Sequence, residues 1–349
     1  MTIPHQPVEL IGSPGSPYTR KMLALLRYRR IPHRMIWGDP TAVLQQRGVA
    51  VPKLVFLPTF LFQDEAGELV ARSDSTPIIR ELEQAFAGRS VLPPDPALGF
   101  IDYLLEDFAD EWCTKYMFHY RWHPKEDADN AGSLLPLYVD LSVPQESWKQ
   151  LKALFSERQI GRLRYVGSNE VTAPIIDASY RRLVLALEEH FANMPFLLGH
   201  RPGAGDFALF GQFSQLVGFD PTPRAIAHDL SPRTVAWVDL MEDHSGLEPE
   251  HGGWQDISVI AKSLRGILTE IGRVYAPALL ANAQAVKAGE KHWQAKIDGG
   301  EWSQQAFPYQ AKCLGWINET YRALDEENRA RVDELLSGTG CERILLSGG

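Results

Sequence analysis

Strand-like and helix-like patterns alternate through the first ninety residues, and this alternation most limits what the chain can fold into. Residues 8–11 (VELI) are a short strand-like run that stops at residues 12–17, a segment dense in turn-forming Gly, Ser and Pro. Residues 18–30 then repeat apolar side chains at helical spacing, and residues 33–37 predict a second strand. The start of the chain therefore predicts a small α/β unit.

The rest of this unit is predicted from the same patterns. We expect a short helix over residues 41–47, a third strand over 51–57, a fourth over 68–71 and a helix over 74–86. Ser16 is the expected N-cap of the first helix, and Asp74 or Ser75 that of the last, because their oxygens can accept unpaired N–H groups. The order β-α-β-α-β-β-α is that of a thioredoxin-like domain, followed by a linker over residues 88–98.

Two places in the unit have the chemistry to hold a zwitterionic peptide. A cis Val51-Pro52 bond would leave the Val51 backbone free to pair with an extended ligand, whereas a trans proline would open an edge strand. Asp74-Ser75 at a helix start offers N–H groups for a carboxylate and a carboxylate for an ammonium, or is an ordinary helix cap. A zwitterion site needs all of these elements together.

Composition narrows the class of protein. The 349 residues include 44 Asp and Glu against 35 Lys and Arg, for a formal net charge of −9, which disfavours nucleic acid and anionic membranes as partners. No apolar run approaches the roughly 20 residues that span a bilayer, and residues 1–8 lack the pattern of a secretory signal. The three cysteines, Cys113, Cys313 and Cys341, are too far apart for a zinc or redox pair. We therefore expect a soluble cytoplasmic protein.

From residue 97 onward the patterns are helical, and the segment 112–123 is unusually aromatic. Trp112, Tyr116 and Tyr120 recur at helical spacing, where they either line an apolar pocket or pack in the core. His119 and His123 also lie four residues apart, but no acidic or cysteine partner is beside them, so we expect no metal site.

Residues 13–21 (SPGSPYTRK) are similar to the Ser-Pro-Tyr-Ser-Arg-Lys pattern of many bacterial cytosolic glutathione transferases. They are one of several short segments, over about residues 7–245, that resemble this family in order and spacing. Residues 51–54 (VPKL) are similar to the Val-Pro-x-Leu pattern with its cis proline, and residues 74–79 (DSTPII) to Glu-Ser-x-Ala-Ile. Residues 195–199 (PFLLG) and 205–209 (GDFAL) resemble the family's second domain. Gly203 departs from the usual Ser or Thr, which predicts a weaker helix cap there.

The resemblance implies a thioredoxin-like α/β domain over residues 1–88 and an all-α domain over 97–245, with a helical extension over 246–349. It implies a detoxification transferase that uses glutathione as co-substrate on a small hydrophobic electrophile, works as a homodimer and needs no metal. The alternative is a binding or scaffold protein that keeps the fold without thiol activation.

The resemblance also implies which residue activates the glutathione thiol. Ser16 would do so with its hydroxyl and the positive end of the first helix. The alternative is that the Ser16 hydroxyl only caps the helix. Ser13 is the second candidate, and Tyr18 and Thr19 are further ones.

The remaining implied roles concern binding. Val51 and Pro52 would hold the cysteinyl backbone, Asp74 and Ser75 the γ-glutamyl end, and Lys53 the glycyl carboxylate.

The electrophile would bind in the second domain. Trp112, Tyr116 and Tyr120 would line its pocket, and the extension would pack on the helical domain and partly cover it.

Overall fold

A computed structural model describes residues 3–249 and 253–346. Its N-terminal part consists of β1 (Ile3–Gly12), α1 (Pro17–Tyr28), β2 (His33–Trp37), α2 (Pro40–Gln46), β3 (Thr59–Gln63), β4 (Leu69–Arg72) and α3 (Ser75–Ala85). The four strands form one mixed sheet in the order β2-β1-β3-β4. β1 runs parallel to β2, and β3 runs antiparallel to both β1 and β4. The predicted thioredoxin-like order of elements is confirmed.

The third strand begins at Thr59, so the prediction of a strand over residues 51–57 is wrong. Three consecutive side chains of β3 are fully buried in the sheet, whereas Val51 is exposed to 38%. An apolar run forms a strand where its side chains are buried in a sheet. The charged Lys53 interrupts the apolar run over residues 51–57. The expectation of a cis Val51-Pro52 bond is also wrong: among the described residues the cis bonds are Gln6–Pro7 and Leu57–Pro58.

Eight helices follow in the second part of the chain. They are α4 (Pro96–Phe108), α5 (Thr114–Trp122), α6 (Lys125–Leu134), α7 (Gln145–Ile160), α8 (Ala173–Phe191), α9 (Ala204–Leu216), α10 (Pro221–Leu230) and α11 (Pro232–Met241). A π-helical turn over Ala109–Cys113 joins α4 to α5. α9 is buried along its whole length, as its continuous apolar pattern predicts, and packs against both α1 and α4. It therefore connects the sheet to the helical part.

The start of α9 is capped more completely than Gly203 alone predicts. Asp102 of α4 accepts hydrogen bonds from the backbone of Ala204 at 3.2 Å and of Gly205 at 3.0 Å. The Asp206 carboxylate accepts from the Gly203 N–H at 2.9 Å. A Cβ at position 203 would lie 2.4 Å from the Asp102 carboxylate. Glycine thus makes room for a cap that the neighbouring helix supplies.

The extension contains α12 (Ile257–Glu270), α13 (Ala276–Ala288), β5 (His292–Ile297), β6 (Gly300–Gln305), α14 (Pro308–Arg322), α15 (Glu326–Leu336) and α16 (Glu342–Leu346). A π-helical turn over Ile271–Tyr275 joins α12 to α13. The β5–β6 hairpin is a correction to the expected all-helical extension. Trp293 and Trp302 lie buried on the strands, and alternation along a strand explains why they follow no helical period.

The extension packs on the helical part, as predicted: α12 contacts α8, and α14 and α15 contact α4. One continuous cluster of buried apolar side chains runs from the sheet through the helices into the extension. The boundaries at residues 88, 97 and 245 stay predictions. Within residues 3–249 and 253–346, no helix combines the length and apolarity needed to cross a membrane.

Candidate functional site

Ser16 lies at the N-terminus of α1, close to the loop that leads into β3. Its Oγ accepts a hydrogen bond from the Thr19 N–H at 3.2 Å, which confirms the predicted N-cap. The same hydroxyl donates to the Leu57 carbonyl at 3.5 Å, a long and weak contact. Ser16 is 7% exposed. A weakly held hydroxyl at the positive end of a helix is a suitable donor for a bound anion.

The other candidates near this loop are placed differently. Ser13 Oγ accepts from the Gly15 N–H at 3.4 Å and stays the second candidate. The Tyr18 hydroxyl donates to the Asp110 carbonyl at 2.8 Å, and burial raises the Tyr18 pKa well above its usual value. Thr19 is fully buried. The Tyr18 hydroxyl therefore bonds within the protein and Thr19 packs in its interior, so neither side chain faces a ligand.

The backbone edge beside Ser16 belongs to Leu57, whereas sequence reasoning assigned it to Val51. Among the described residues the Leu57 N–H has no hydrogen-bond partner, so it is available to a ligand. Val51, Pro52 and Lys53 lie in the irregular loop before β3, and none of them makes a hydrogen bond to Ser16. Val51-Pro52 fits the Val-Pro-x-Leu pattern, whereas Leu57-Pro58 has Phe60 in place of the leucine. Both precede apolar runs of similar length, so no signal in the sequence singles out Leu57-Pro58.

Asp74 occupies the N-cap position of α3 with a φ of 85°. A non-glycine residue rarely adopts this left-handed region, and such residues concentrate at ligand-binding positions. The Asp74 side chain makes no cap hydrogen bond. Instead, its Oδ2 accepts from the Tyr309 hydroxyl of α14 at 2.9 Å. A residue of the extension therefore contacts the predicted γ-glutamyl site, and nothing in the sequence pattern marks Tyr309 for this role.

A buried ion network lies directly beneath Ser75. Lys21 Nζ donates to Ser75 Oγ at 3.0 Å and pairs with Glu106 at 2.9 Å and Asp110 at 2.6 Å. Arg80 holds the other Glu106 oxygen at 3.0 Å through two nitrogens. Burial opposes ionisation of Glu106, but Arg80 and Lys21 hold the pKa of its carboxyl below the usual range. This network fixes α1, α3 and α4 relative to one another, and with them Ser16 and Ser75.

Two further hydrogen bonds join the extension to the end of α4 and the turn that follows. The Tyr275 hydroxyl donates to Asp107 at 2.5 Å, and the Gln310 amide donates to Glu111 at 3.1 Å. Burial raises the pKa of Asp107 to about 7 and that of Glu111 to about 8. Burial therefore disfavours ionisation of both carboxyl groups that accept hydrogen bonds from the extension.

The expectation that Trp112, Tyr116 and Tyr120 line a pocket is wrong, because their exposures are 0%, 0% and 2%. Trp302 of the extension packs on Trp112 with ring centroids 5.4 Å apart. Trp112 Nε1 donates to the Tyr116 hydroxyl at 2.8 Å, and the Tyr120 hydroxyl donates to Asp177 at 2.7 Å. The three side chains belong to the core. The extension completes that core where a pocket was expected.

Three side chains that sequence reasoning missed surround the loop before α1. Arg121 Nη1 donates to the Gly15 carbonyl at 2.8 Å. A Cβ at Gly15 would lie 2.2 Å from Leu135 Cδ2 and 3.7 Å from Tyr138 Cδ2, so both side chains cover the loop closely. Leu135 and Tyr138 follow α6 in a segment too short to show a period. They give the Ser16 region an apolar wall.

Two clefts lie elsewhere on the surface. One of about 800 Å³ lies between α6 and α7, and one of about 250 Å³ lies between the Gly167 loop and the β5–β6 hairpin. Neither is lined by Ser16, Leu57 or Asp74. Across the described part of the chain, no group of three or more acidic, histidine or cysteine side chains has a geometry that could hold a metal ion.

Residues 10–90 match the family model described as the N-terminal domain of glutathione S-transferases. No curated protein sequence matches the chain.

Solved structures give distant likenesses. A GST-like protein from Pseudomonas syringae shares 16% identity with a TM-score of 0.42, over 69% of each chain. The beta-etherase LigF from Sphingobium sp. strain SYK-6 shares 18% identity with a TM-score of 0.44, over 67% of this chain and 94% of its own. A glutathione transferase family member from Pseudomonas fluorescens Pf-5 with bound glutathione shares 18% identity with a TM-score of 0.33, over 67% and 93%. At these values the likenesses carry no conclusion about activity.

Proposed function

We propose that this chain, whose residues 10–90 match the N-terminal domain of glutathione S-transferases, is a glutathione-dependent transferase acting on a small hydrophobic electrophile. One observation carries the proposal. The Ser16 hydroxyl stands at the N-terminus of α1 and contacts the backbone of Leu57, whose N–H has no hydrogen-bond partner in the part of the chain that the structure describes. This combination offers a donor for a sulfur and a backbone edge for the peptide that carries it.

The proposed mechanism begins with the thiol of glutathione. A free thiol has a pKa of about 8.5, so most of it is protonated at neutral pH. A hydrogen bond from Ser16 and the positive end of α1 favour the thiolate, and the proton passes to solvent. The thiolate sulfur then forms a bond to the electrophilic carbon. In a substitution the bond to the leaving group breaks and the leaving group departs with the electron pair. In an addition a double bond of that carbon opens, and its electron pair moves to the neighbouring atom, which takes a proton from solvent.

The chain's own thiols do not suit this chemistry. Cys113, Cys313 and Cys341 are all buried, and burial raises the pKa of each. A buried protonated thiol is a poor nucleophile. The reacting sulfur is therefore proposed to be that of glutathione.

The binding roles follow the placement of the residues. We propose that the Leu57 backbone, in place of Val51, pairs with the cysteinyl unit in β-fashion. Asp74 would accept the γ-glutamyl ammonium, and Ser75 at the start of α3 the neighbouring carboxylate. Lys53 is exposed in the loop before β3 and would reach the glycyl carboxylate.

The electrophile site is proposed beside the loop before α1. Leu135 and Tyr138 approach Gly15 closely there, whereas Trp112 lies in the core. An apolar wall next to Ser16 would place a hydrophobic electrophile within reach of the sulfur.

Substitution of Ser16 tests the mechanism. Calorimetry measures glutathione binding, and ultraviolet absorbance measures the thiolate of the bound ligand. Ser16→Ala should retain binding and lose the thiolate, whereas Ser13→Ala should retain both. A thiolate signal that survives in Ser16→Ala would exclude Ser16 as the activating residue.

A matched control separates this effect from loss of a helix cap, which costs about 1 kcal/mol. Asp39 caps α2 in the same domain by accepting from the Ala42 N–H at 2.9 Å. Asp39→Ala removes a comparable cap away from the proposed site. It should change stability to a similar extent and leave the thiolate signal intact.

A non-catalytic binding or scaffold protein is the second candidate. The hydrogen bond from the Tyr309 hydroxyl to the Asp74 carboxylate favours this candidate, because the carboxylate proposed to bind the glutathione ammonium already has a partner. Glutathione affinity in the millimolar range or weaker would support this candidate over the transferase.

The assembly and the setting are proposed with the function. We expect a cytoplasmic homodimer without nucleic acid partners. Analytical ultracentrifugation at micromolar concentration tests the dimer.

A further inference from the structure

We propose that the Tyr309 side chain is a gate on the glutathione site, which occupies the Asp74 carboxylate until the ligand's α-ammonium displaces it. The inference rests on the proposed glutathione site. It assigns to the C-terminal extension a role in selecting ligands that carry a primary ammonium.

The contact itself has the geometry of a competitor. The Tyr309 hydroxyl donates to Asp74 Oδ2 at 2.9 Å. Burial and the neighbouring Asp74 carboxylate both raise the pKa of Tyr309, so the hydroxyl remains a hydrogen-bond donor throughout the physiological range. An ammonium offers the same carboxylate a donor that also carries a charge, and charge-assisted hydrogen bonds are the stronger class.

The residues on both sides of Tyr309 make hydrogen bonds to other elements. The Phe307 backbone N–H donates to Asn282 Oδ1 at 2.8 Å, and the Gln310 side-chain amide donates to Glu111 Oε2 at 3.1 Å. These contacts fix the start of α14 against the helical part. Displacement of the Tyr309 hydroxyl therefore needs no undocking of the extension.

The Tyr309 side chain lies partly in solvent. It is 43% exposed, and its ring makes an edge contact with Trp316, which is itself 38% exposed. Exposed side chains change rotamer in picoseconds to nanoseconds. A rotation about the side-chain bonds would uncover Asp74 and leave α14 in place.

The expected effect is modest, because an exposed hydrogen bond contributes little in water. Tyr309→Phe removes the hydroxyl and keeps the ring, so steric access stays the same. The variant should bind glutathione roughly three- to tenfold more tightly than the wild type. Glutaryl-cysteinyl-glycine, the analogue that lacks the α-amino group, does not compete for Asp74 and should bind both proteins equally.

Calorimetry of the full chain with both ligands tests the gate. Tighter glutathione binding by Tyr309→Phe, with no change for the analogue, supports it. Equal binding of glutathione by the two proteins overturns the gate and leaves the proposed function standing. Weaker binding by Tyr309→Phe would make the hydroxyl a direct ligand contact and also overturns the gate.

Complete absence of glutathione binding has a different meaning. If the wild type, Tyr309→Phe and Tyr309→Ala all fail to bind glutathione and the analogue, the proposed function fails and the gate fails with it. Tyr309→Ala is included because it also removes the ring. Circular dichroism of each variant establishes that the fold is intact.

Discussion

The Tyr309 hydroxyl and the Asp74 carboxylate form a hydrogen bond of 2.9 Å between residues 235 positions apart in the chain. Asp74 begins the last helix of the thioredoxin-like part, and Tyr309 lies in the first turn of α14. The extension therefore contacts the ligand site that is proposed around Asp74.

Asp74→Asn tests the proposed ammonium contact. Asparagine tolerates a positive φ, so the variant should keep the strained backbone without loss of stability. We expect glutathione affinity to fall by about tenfold, because the charge that attracts the ammonium is lost. Calorimetry measures the change, and Asp64→Asn in the exposed turn before β4 is a control that should bind like the wild type. Equal binding by Asp74→Asn would remove Asp74 from the site.

Lys21→Met tests the buried network beneath Ser75. The substitution removes the cation that pairs with Asp110 at 2.6 Å and one of the two cations that pair with Glu106, which keeps Arg80. Removal of one partner from a buried ion pair costs about 3–5 kcal/mol of unfolding free energy. Urea denaturation measures the loss.

Arg34→Met is the matched control for this prediction. Arg34 pairs with Glu9 at 3.1 Å, but its side chain is 64% exposed, so the expected loss is at most about 1 kcal/mol. Losses of similar size in both variants would contradict the central role of Lys21.

Trp302→Ala distinguishes core packing from a pocket around Trp112. Trp302 is 1% exposed and packs on Trp112, so its truncation should cost about 3–5 kcal/mol of unfolding free energy. Trp316→Ala, at a side chain that is 38% exposed, should cost much less. A change of electrophile selectivity in Trp302→Ala without loss of stability would instead indicate that Trp112 lines a pocket.

Much of the N-terminal fold could be predicted from local sequence. The turn-rich segment before α1 and the apolar periods that follow it are local signals, and Ser16 is the N-cap that they indicate. The predicted position of the third strand was wrong because Val51-Pro52 and Leu57-Pro58 precede two adjacent apolar runs. Only burial in the sheet selects the second run, and burial is a property of the assembled domain.

The errors at the site come from contacts between distant parts of the chain. The helical spacing of Trp112 is compatible with either a pocket or a core position. The packing of Trp302 from the extension on Trp112 places it in the core. The link between Asp74 and Tyr309 likewise depends on where α14 docks. No spacing rule connects residues so far apart, so these features could be found only in the assembled structure.

The burial of Glu111 predicts a pH dependence of stability. Burial raises the pKa of Glu111 from 4.5 to about 8, so the folded protein binds a proton that the unfolded chain has released between these values. The stabilising contribution is therefore full below about pH 4.5 and is lost progressively as the pH rises to about 8. Glu111→Gln should flatten this part of the profile, because an amide keeps the shape and does not ionise. Urea midpoints of the wild type and Glu111→Gln at intervals across the range measure the difference. Parallel profiles would show that Glu111 ionises at its ordinary pKa in the folded protein.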